Sequence, residues 1–251
     1  MPVRAVSFDF DNTLLLSEAC KFATMREVCA KIAGGTEALA AVPTDARSAP
    51  PGVSVTRHTI FAGVAEKLFA TGAPSLTESA EAFGERMCAE FSALLLARLP
   101  QADEVPGAVA LLEDLGRLGV PCFVNSATPT APLVELVKAL GWARHFRGVY
   151  GAPGTKEAHL EAILDALSLD ASELLHVGDG DNDERAATEV GCPFLRVAEP
   201  GSGVAPGTAD ADDDGRVVVA DLVAALPLVH ELIAPTPDPE VALALATPTT
   251  P

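Results

Sequence analysis

The sequence predicts an α/β fold: a Rossmann-like parallel sheet with helices on both faces, interrupted early by a mostly helical block. Three observations carry that expectation. Short apolar, β-branched runs such as Val3 to Phe8, Val120 to Asn125 and Leu174 to Val177 read as strands buried on both faces. Between them lie helix-length segments whose apolar residues recur three and four apart, and such alternation implies crossover connections and parallel strands. The length of 251 residues, 49% of them hydrophobic, suits one large core or a core with a smaller insert.

In chain order, the first strand ends in Asp9-Phe10-Asp11-Asn12-Thr13. Ser17 and Glu18 then open a helix to about Ala33, which Gly34 and Gly35 end. Residues 42–55 (VPTDARSAPPGVSV) read as a loop. Helical spacing returns with Ile60, Val64 and Leu68, and again with Phe83, Met87, Phe91, Leu94 and Leu95. A helix carrying Ala108, Leu111, Leu112, Leu115 and Leu118 is stopped by Gly119 and followed by the strand Val120 to Asn125. The alternation continues with a helix from Thr130 to Leu140, a strand near Val149 and Tyr150, a helix from Lys156 to Leu167 and the strand Leu174 to Val177. A helix from Asp183 to Val190, a strand from Pro193 to Val197 and a strand-helix pair from Val217 complete it. The expected division is an α/β core over residues 1–14 and 104–234, a helical insert over 15–103, and a Pro- and Thr-rich flexible tail over 235–251.

The formal charge of −18, from 35 acidic against 17 basic residues, opposes binding to nucleic acid or anionic membrane surfaces. It would also repel a phosphorylated substrate at long range, so any anion site must supply its own local cations. The cysteines Cys20, Cys29, Cys88, Cys122 and Cys192 are scattered, with no zinc-ligand spacing, and read as reduced, packed thiols. The first Asp arrives before a signal-peptide apolar region is complete, and Val217 to Ala234 is too polar for a membrane span. The expectation is a cytoplasmic protein.

In an extended backbone Asp9 and Asp11 point the same way, roughly 7 Å apart, and two carboxylates that close repel unless a cation lies between them. A divalent metal would leave one carboxylate to attack and the other to handle protons. The plain alternative is a solvated turn capping a strand. Gly178-Asp179-Gly180-Asp181-Asn182-Asp183 follows a strand and opens a helix; one Asp would serve the helix dipole, whereas several carboxylates on a flexed turn suit magnesium. Ser126 closes a strand ahead of a helix and is either a phosphate contact or a simple cap. Lys156 opens a helix against its dipole, which asks for a carboxylate or ligand partner, although a solvated lysine is the common case. The stretch around it, GVYGAPGTK, is not a Walker loop, because Thr155 precedes the lysine.

These four segments, in order DFDNTLL, VNSATP, YGAPGTK and GDGDND, resemble the four motifs of the haloacid dehalogenase superfamily, in the phosphoglycolate-phosphatase-like branch with a helical cap after the first motif. The likeness spans about residues 4–200. It implies that Asp9 is the nucleophile that forms an aspartyl-phosphate and Asp11 the general acid/base. It implies that Ser126 and Lys156 bind the transferring phosphoryl group, with Lys156 also stabilising Asp9. It implies magnesium held by Asp9, the Asp11 backbone carbonyl and Asp179, with Asp183 in or beside that shell. Dehalogenases lack the second Asp of the first motif, so Asp11 points to phosphatase chemistry on a small phosphorylated metabolite. A phosphomutase, a phosphonate hydrolase using Lys21, Lys31 or Lys67, and a non-catalytic regulatory relative remain open alternatives.

In the insert, Arg57 and His58 are candidates for contacting an anionic substrate, or ordinary helix-start residues. The histidines His145, His159, His176 and His230 stand singly and read as structural. Asp210, Asp212, Asp214, Gly215 and Asp221 match positions of a calcium-binding EF-hand loop, but GSGVAPGT before them cannot be a helix, so an acidic turn is the expectation.

Overall fold

The structure is a computed structural model that describes residues 2–44, 48–50, 55–72, 78–199, 202–211 and 216–233. The tail over 235–251 and Asp212, Asp214 and Gly215 of the acidic loop lie outside the described residues. The chain divides into two compact units: Met1–Ser17 with Ala102–Pro251, and Glu18–Gln101.

The first unit is built on a sheet of order β3-β2-β1-β4-β5-β7-β6. Its strands are β1 (Ala5–Phe8), β2 (Cys122–Pro129), β3 (Phe146–Ala152), β4 (Leu174–Gly178), β5 (Phe194–Val197), β6 (Ala209–Ala211) and β7 (Val217–Val219). Every pairing is parallel except β6 with β7, so the sheet is mixed at that one edge. The expected acidic turn is thus partly strand: Asp210 pairs with Val218. A three-residue edge strand with a charge at its centre carries no apolar alternation that sequence could reveal.

β1 lies between β2 and β4, with Phe8 opposite both Val124 and Val177. All four of its residues are buried, Ser7 included, which accounts for a run that is apolar but for that serine. The helices of this unit are α5 (Ala108–Arg117), α6 (Thr130–Ala139), α7 (Lys156–Leu167), α8 (Asp181–Val190) and α9 (Leu222–Leu232). Ala5, Phe123, Leu160, Ile163, Leu174, Ala186 and Ala187 form one core cluster, drawn from β1, β2, β4, α7 and α8. At α5, Ala108, Leu111, Leu112 and Leu115 are buried at the spacing the pattern predicts. Its N-cap Gly107 has φ 87°, and a Cβ there would lie 2.5 Å from the Val223 nitrogen, so only glycine lets α5 start against the first turn of α9.

Asp221, the would-be last calcium ligand, is the N-cap of α9: one carboxylate oxygen accepts from Ala224 N at 3.0 Å and the other from Gly207 N at 2.8 Å. Both oxygens therefore have structural work to do. His230, near the end of α9, contacts Asp114 on α5, which also pairs with Arg117.

The second unit is helical. It holds α1 (Ser17–Ala30, which begins one residue earlier), α2 (Gly35–Ala40), α3 (Arg57–Ala70) and α4 (Ala80–Arg98). The Gly34-Gly35 pair does not simply stop a helix: Gly34, in the left-handed region at φ 77°, is the N-cap of α2. Thr56 and Ser79 cap α3 and α4 by accepting from Thr59 N and Ala82 N, each at 3.2 Å. Ile60, Phe61, Val64 and Leu68 of α3 and Phe83, Met87, Phe91 and Leu95 of α4 are buried, with the Phe61 and Phe91 rings 5.4 Å apart. Among the described residues no helix is long and apolar enough to cross a membrane.

Candidate active site

The carboxyl ends of β1 and β4, the middle of β2 and the start of α7 hold the candidate residues. Asp9 follows β1 and is held by its N–H, which donates to the Val177 carbonyl at 2.8 Å. β4 ends at Gly178, and a Cβ on that residue would lie 2.4 Å from Cγ of Asp183. The missing side chain is what lets Asp183, in the first turn of α8, fold back over the strand end. Its Oδ2 accepts from Gly180 N at 3.1 Å. Thr155 caps α7 through Ala158 N at 3.2 Å, which starts the helix at Lys156 and aims that side chain inward.

Asp9, Asp179 and Asp183 each place an oxygen within 4.8 Å of the others. Lys156 lies among them, with Nζ 2.6 Å from Asp9 Oδ1 and in contact with Asp183 Oδ1. The partner that a lysine at a helix start requires is therefore a pair of carboxylates. Asp9, Lys156 and Asp183 are all buried. Burial pushes Asp9 up from 3.8 to about 8, reinforced by Asp183 and Asp11 and opposed by Lys156. Burial likewise raises Asp179 to about 6, with Asp183 adding to it. Burial works against the Asp183 anion too, but the His176 hydrogen bond and the Lys156 charge outweigh it and lower its pKa. For Lys156 burial is outweighed by the two carboxylates, and its pKa rises. Three carboxylates around one ammonium leave an excess of two negative charges, which protons or one divalent cation would neutralise. An all-oxygen donor set of this size fits magnesium.

Asp11 differs from the simple extended-strand picture. The strand ends at Phe8, Asn12 turns with φ 58°, and the Asp11 carboxylate is not in the three-carboxylate cluster. It is gripped instead by two hydroxyls: Ser17 Oγ donates to Oδ1 at 2.5 Å and Thr128 Oγ1 to Oδ2 at 3.2 Å. Asp11 is still close enough to raise the Asp9 pKa. Ser126, buried within β2 where its register with β3 breaks after Asn125, is not the cap of α6, a position Pro129 takes; its Oγ accepts from Thr128 N at 3.1 Å.

The geometry adds two residues: His176, which the sequence reads as structural, and Arg196, which no sequence pattern singles out. His176, wholly buried in β4, has Nε2 3.0 Å from Asp183 Oδ1 and Nδ1 3.2 Å from the Ser7 carbonyl, so it bridges the first strand and the metal-type carboxylate. Its signal was a single polar residue two places before Gly178 in an apolar strand. Arg196 on β5 donates to the Asp179 carbonyl at 3.1 Å, to Asp181 at 2.9 Å and to Glu184 at 2.6 Å, and so braces the turn. In the helical unit, Arg57 contacts Ser92 at 3.4 Å, and His58 Nδ1 lies 3.6 Å from Cys88 Sγ.

A haloacid dehalogenase-like hydrolase profile matches residues 3–191. The chain belongs to that family. Family membership agrees with the α/β core and with the placement of the carboxylates at strand ends. Curated relatives include phosphoglycolate phosphatases of Rhodospirillum rubrum, 33% identical over 39% of this chain and 42% of that protein, and of Caulobacter vibrioides, 33% identical over 51% of this chain and 55% of that protein. The aligned part thus spans about half the length of these relatives. Among solved structures, a β-phosphoglucomutase of Clostridium difficile superposes with a TM-score of 0.58 at 16% identity, covering 91% of this chain and 96% of that one. At that identity the likeness speaks to the fold alone.

Proposed function

We propose that this haloacid dehalogenase-like hydrolase is a magnesium-dependent phosphatase that hydrolyses a small phosphate monoester through an aspartyl-phosphate on Asp9. The observation that carries the reading is the division of labour between the two leading carboxylates. Asp9 is oriented by an ammonium, whereas Asp11 is held by two hydroxyls, an arrangement that suits one for attack and the other for proton transfer.

In the first step an Asp9 oxygen forms a bond to phosphorus, the bond to the ester oxygen breaks, and the leaving oxygen takes a proton from Asp11. In the second, water attacks the same phosphorus, gives its proton to the Asp11 carboxylate, and the bond to Asp9 breaks, releasing phosphate. Lys156 keeps the attacking carboxylate aligned and offers positive charge to the phosphoryl oxygens, and Ser126 supplies a hydroxyl on the adjoining strand. Asp9, Asp179 and the Asp11 carbonyl, with Asp183 in or beside them, would hold magnesium, which supplies charge neutralisation for the nucleophile and the transferring group. Arg57 and His58, which contact Ser92 and Cys88 within the helical unit, are that unit's candidates for an anionic substrate group.

The names of the curated relatives make 2-phosphoglycolate the first substrate to try. The test is phosphate release from a panel of phosphorylated organic acids and sugars, with magnesium and with excess chelator. Magnesium-dependent release supports the reading. Transfer of the phosphoryl group to a second substrate hydroxyl without free phosphate would make the protein a mutase, and absence of both would leave a binding protein.

A further inference from the structure

Asn125 and His159 are buried, face the phosphoryl-binding elements and take no part in the steps above. Asn125, wholly buried, is the last residue of β2 before Ser126. Its Nδ2 donates to the Lys156 carbonyl at 3.0 Å, and its Oδ1 lies 2.8 Å from His159 Nδ1. A carbonyl can only accept, so the amide orientation is fixed, Oδ1 is the acceptor, and His159 Nδ1 carries the proton. Burial holds the His159 pKa below its ordinary value, consistent with a neutral ring in that tautomer. The ring is seated closely on its other sides. Tyr150 lies 5.4 Å away between centroids, and a Cβ on Gly154 would come within 2.1 Å of Nε2.

One amide therefore joins the backbone that carries Lys156 to the backbone that carries Ser126. A lysine side chain is long and flexible, so where its ammonium rests depends on where its helix starts. An apolar residue at position 125 would fill a strand interior without the desolvation cost of an amide. Here both ends of the amide are satisfied, and both partners belong to α7. We propose that Asn125 and His159 are positioning residues, which set the spacing between the Ser126 hydroxyl and the Lys156 ammonium and thereby the geometry of the phosphoryl site. The inference rests on the phosphatase reading for its kinetic consequence but on the structure alone for its geometric one.

The test uses the full chain with His159→Leu, His159→Asn, Asn125→Leu and Asn125→Asp. His159→Asn keeps an N–H donor near the Nδ1 position, while Asn125→Asp keeps size but turns an oxygen toward the Lys156 carbonyl. With p-nitrophenyl phosphate and magnesium, His159→Leu and both Asn125 variants should lower kcat/KM and weaken inhibition by inorganic phosphate, each by about ten- to a hundredfold. His159→Asn should recover most of that loss even where its melting temperature stays as low as that of His159→Leu. Melting temperatures that fall while kcat/KM and phosphate inhibition stay put would overturn the proposal, as would a His159→Asn no better than His159→Leu. If His159→Leu does not fold, Asn125→Asp against wild type gives the same decision. Should wild type release no phosphate from any ester, the phosphatase reading fails by itself. Crystal structures of the variants then decide the geometry: a Lys156 ammonium that keeps its contact with Asp9 rejects the positioning role, and one displaced from it upholds the role.

Discussion

Lys156 Nζ is 2.6 Å from Asp9 Oδ1 in a pair whose side chains are each only 8% exposed. Removing the cation would leave Asp183, the carboxylate held ionised, buried with only His176 beside it, and would take from Asp9 the charge that favours its anion. Lys156→Met should therefore lose about 3–5 kcal/mol of stability near neutral pH in chelator, because an unpaired buried charge is left behind. It should also lose about a hundred- to a thousandfold in kcat. Chemical denaturation and steady-state kinetics check the two parts; an unchanged melting curve would show that the carboxylates are solvated after all.

The raised pKa values of Asp9 and Asp179 make stability depend on pH. Asp9 moves from 3.8 in the unfolded chain to about 8 in the fold, so between those values the folded state binds more protons than the unfolded state. Its contribution is complete below pH 4 and is lost as pH rises through 8. Asp179, raised to about 6, adds a loss of the same sign over a narrower window. In chelator the melting temperature should fall from pH 5 to pH 8. Magnesium, which binds the ionised carboxylates, should stabilise more at pH 8 than at pH 5. Equal magnesium shifts at both pH values would contradict this.

Asp9→Asn should abolish turnover, since an amide oxygen is a poor nucleophile. Asp11→Asn should slow it by about a hundred- to ten-thousandfold and let phosphoenzyme accumulate on the Asp9 peptide with a good leaving group. Mass spectrometry after acid quench reads the adduct. Because Ser17 and Thr128 grip the two Asp11 oxygens, Ser17→Ala and Thr128→Val should each mimic a milder Asp11 defect. Adduct on Ser126 or on a histidine would refute the nucleophile assignment.

Gly178→Ala would drive a methyl into the Asp183 carboxylate, 2.4 Å from Cγ. The expected result is weaker magnesium affinity, measured calorimetrically, together with a lower melting temperature. Asp179→Asn should weaken magnesium affinity without that loss of stability, since it removes a charge and adds no bulk. Wild-type affinity in both variants would place the metal elsewhere.

The layout of the core was legible because its signals are local. The apolar runs that became β1, β2 and β4 and the helix spacing of α5 and α7 come from burial periodicities within a few residues. The acidic pairs were legible because carboxylates at strand ends are unusual unless something neutralises them. Asn125, His159 and His176 were not, because their roles exist only through partners elsewhere in the chain: Asn125 meets His159 across 34 positions, and His176 meets Asp183 after a turn. A lone polar residue in an apolar strand marks a constraint but not its partner. α2 was missed because a glycine pair reads as a stop, although the left-handed Gly34 starts a helix as readily as it finishes one.

β1 precedes both of its neighbours in the sheet, which begin at Cys122 and Leu174. On a ribosome, the strand that delivers Asp9 must wait, unpaired on both edges, until β2 and β4 have emerged. The helical unit between, built from contacts close in sequence, has no such delay. The β1 ladder thus closes after the helical unit can form, and Asp9 is set in place only then. Mutations that merely slow closure of the β1–β4 ladder would show up as poor yield and chaperone dependence in the cell, with normal turnover in whatever protein survives.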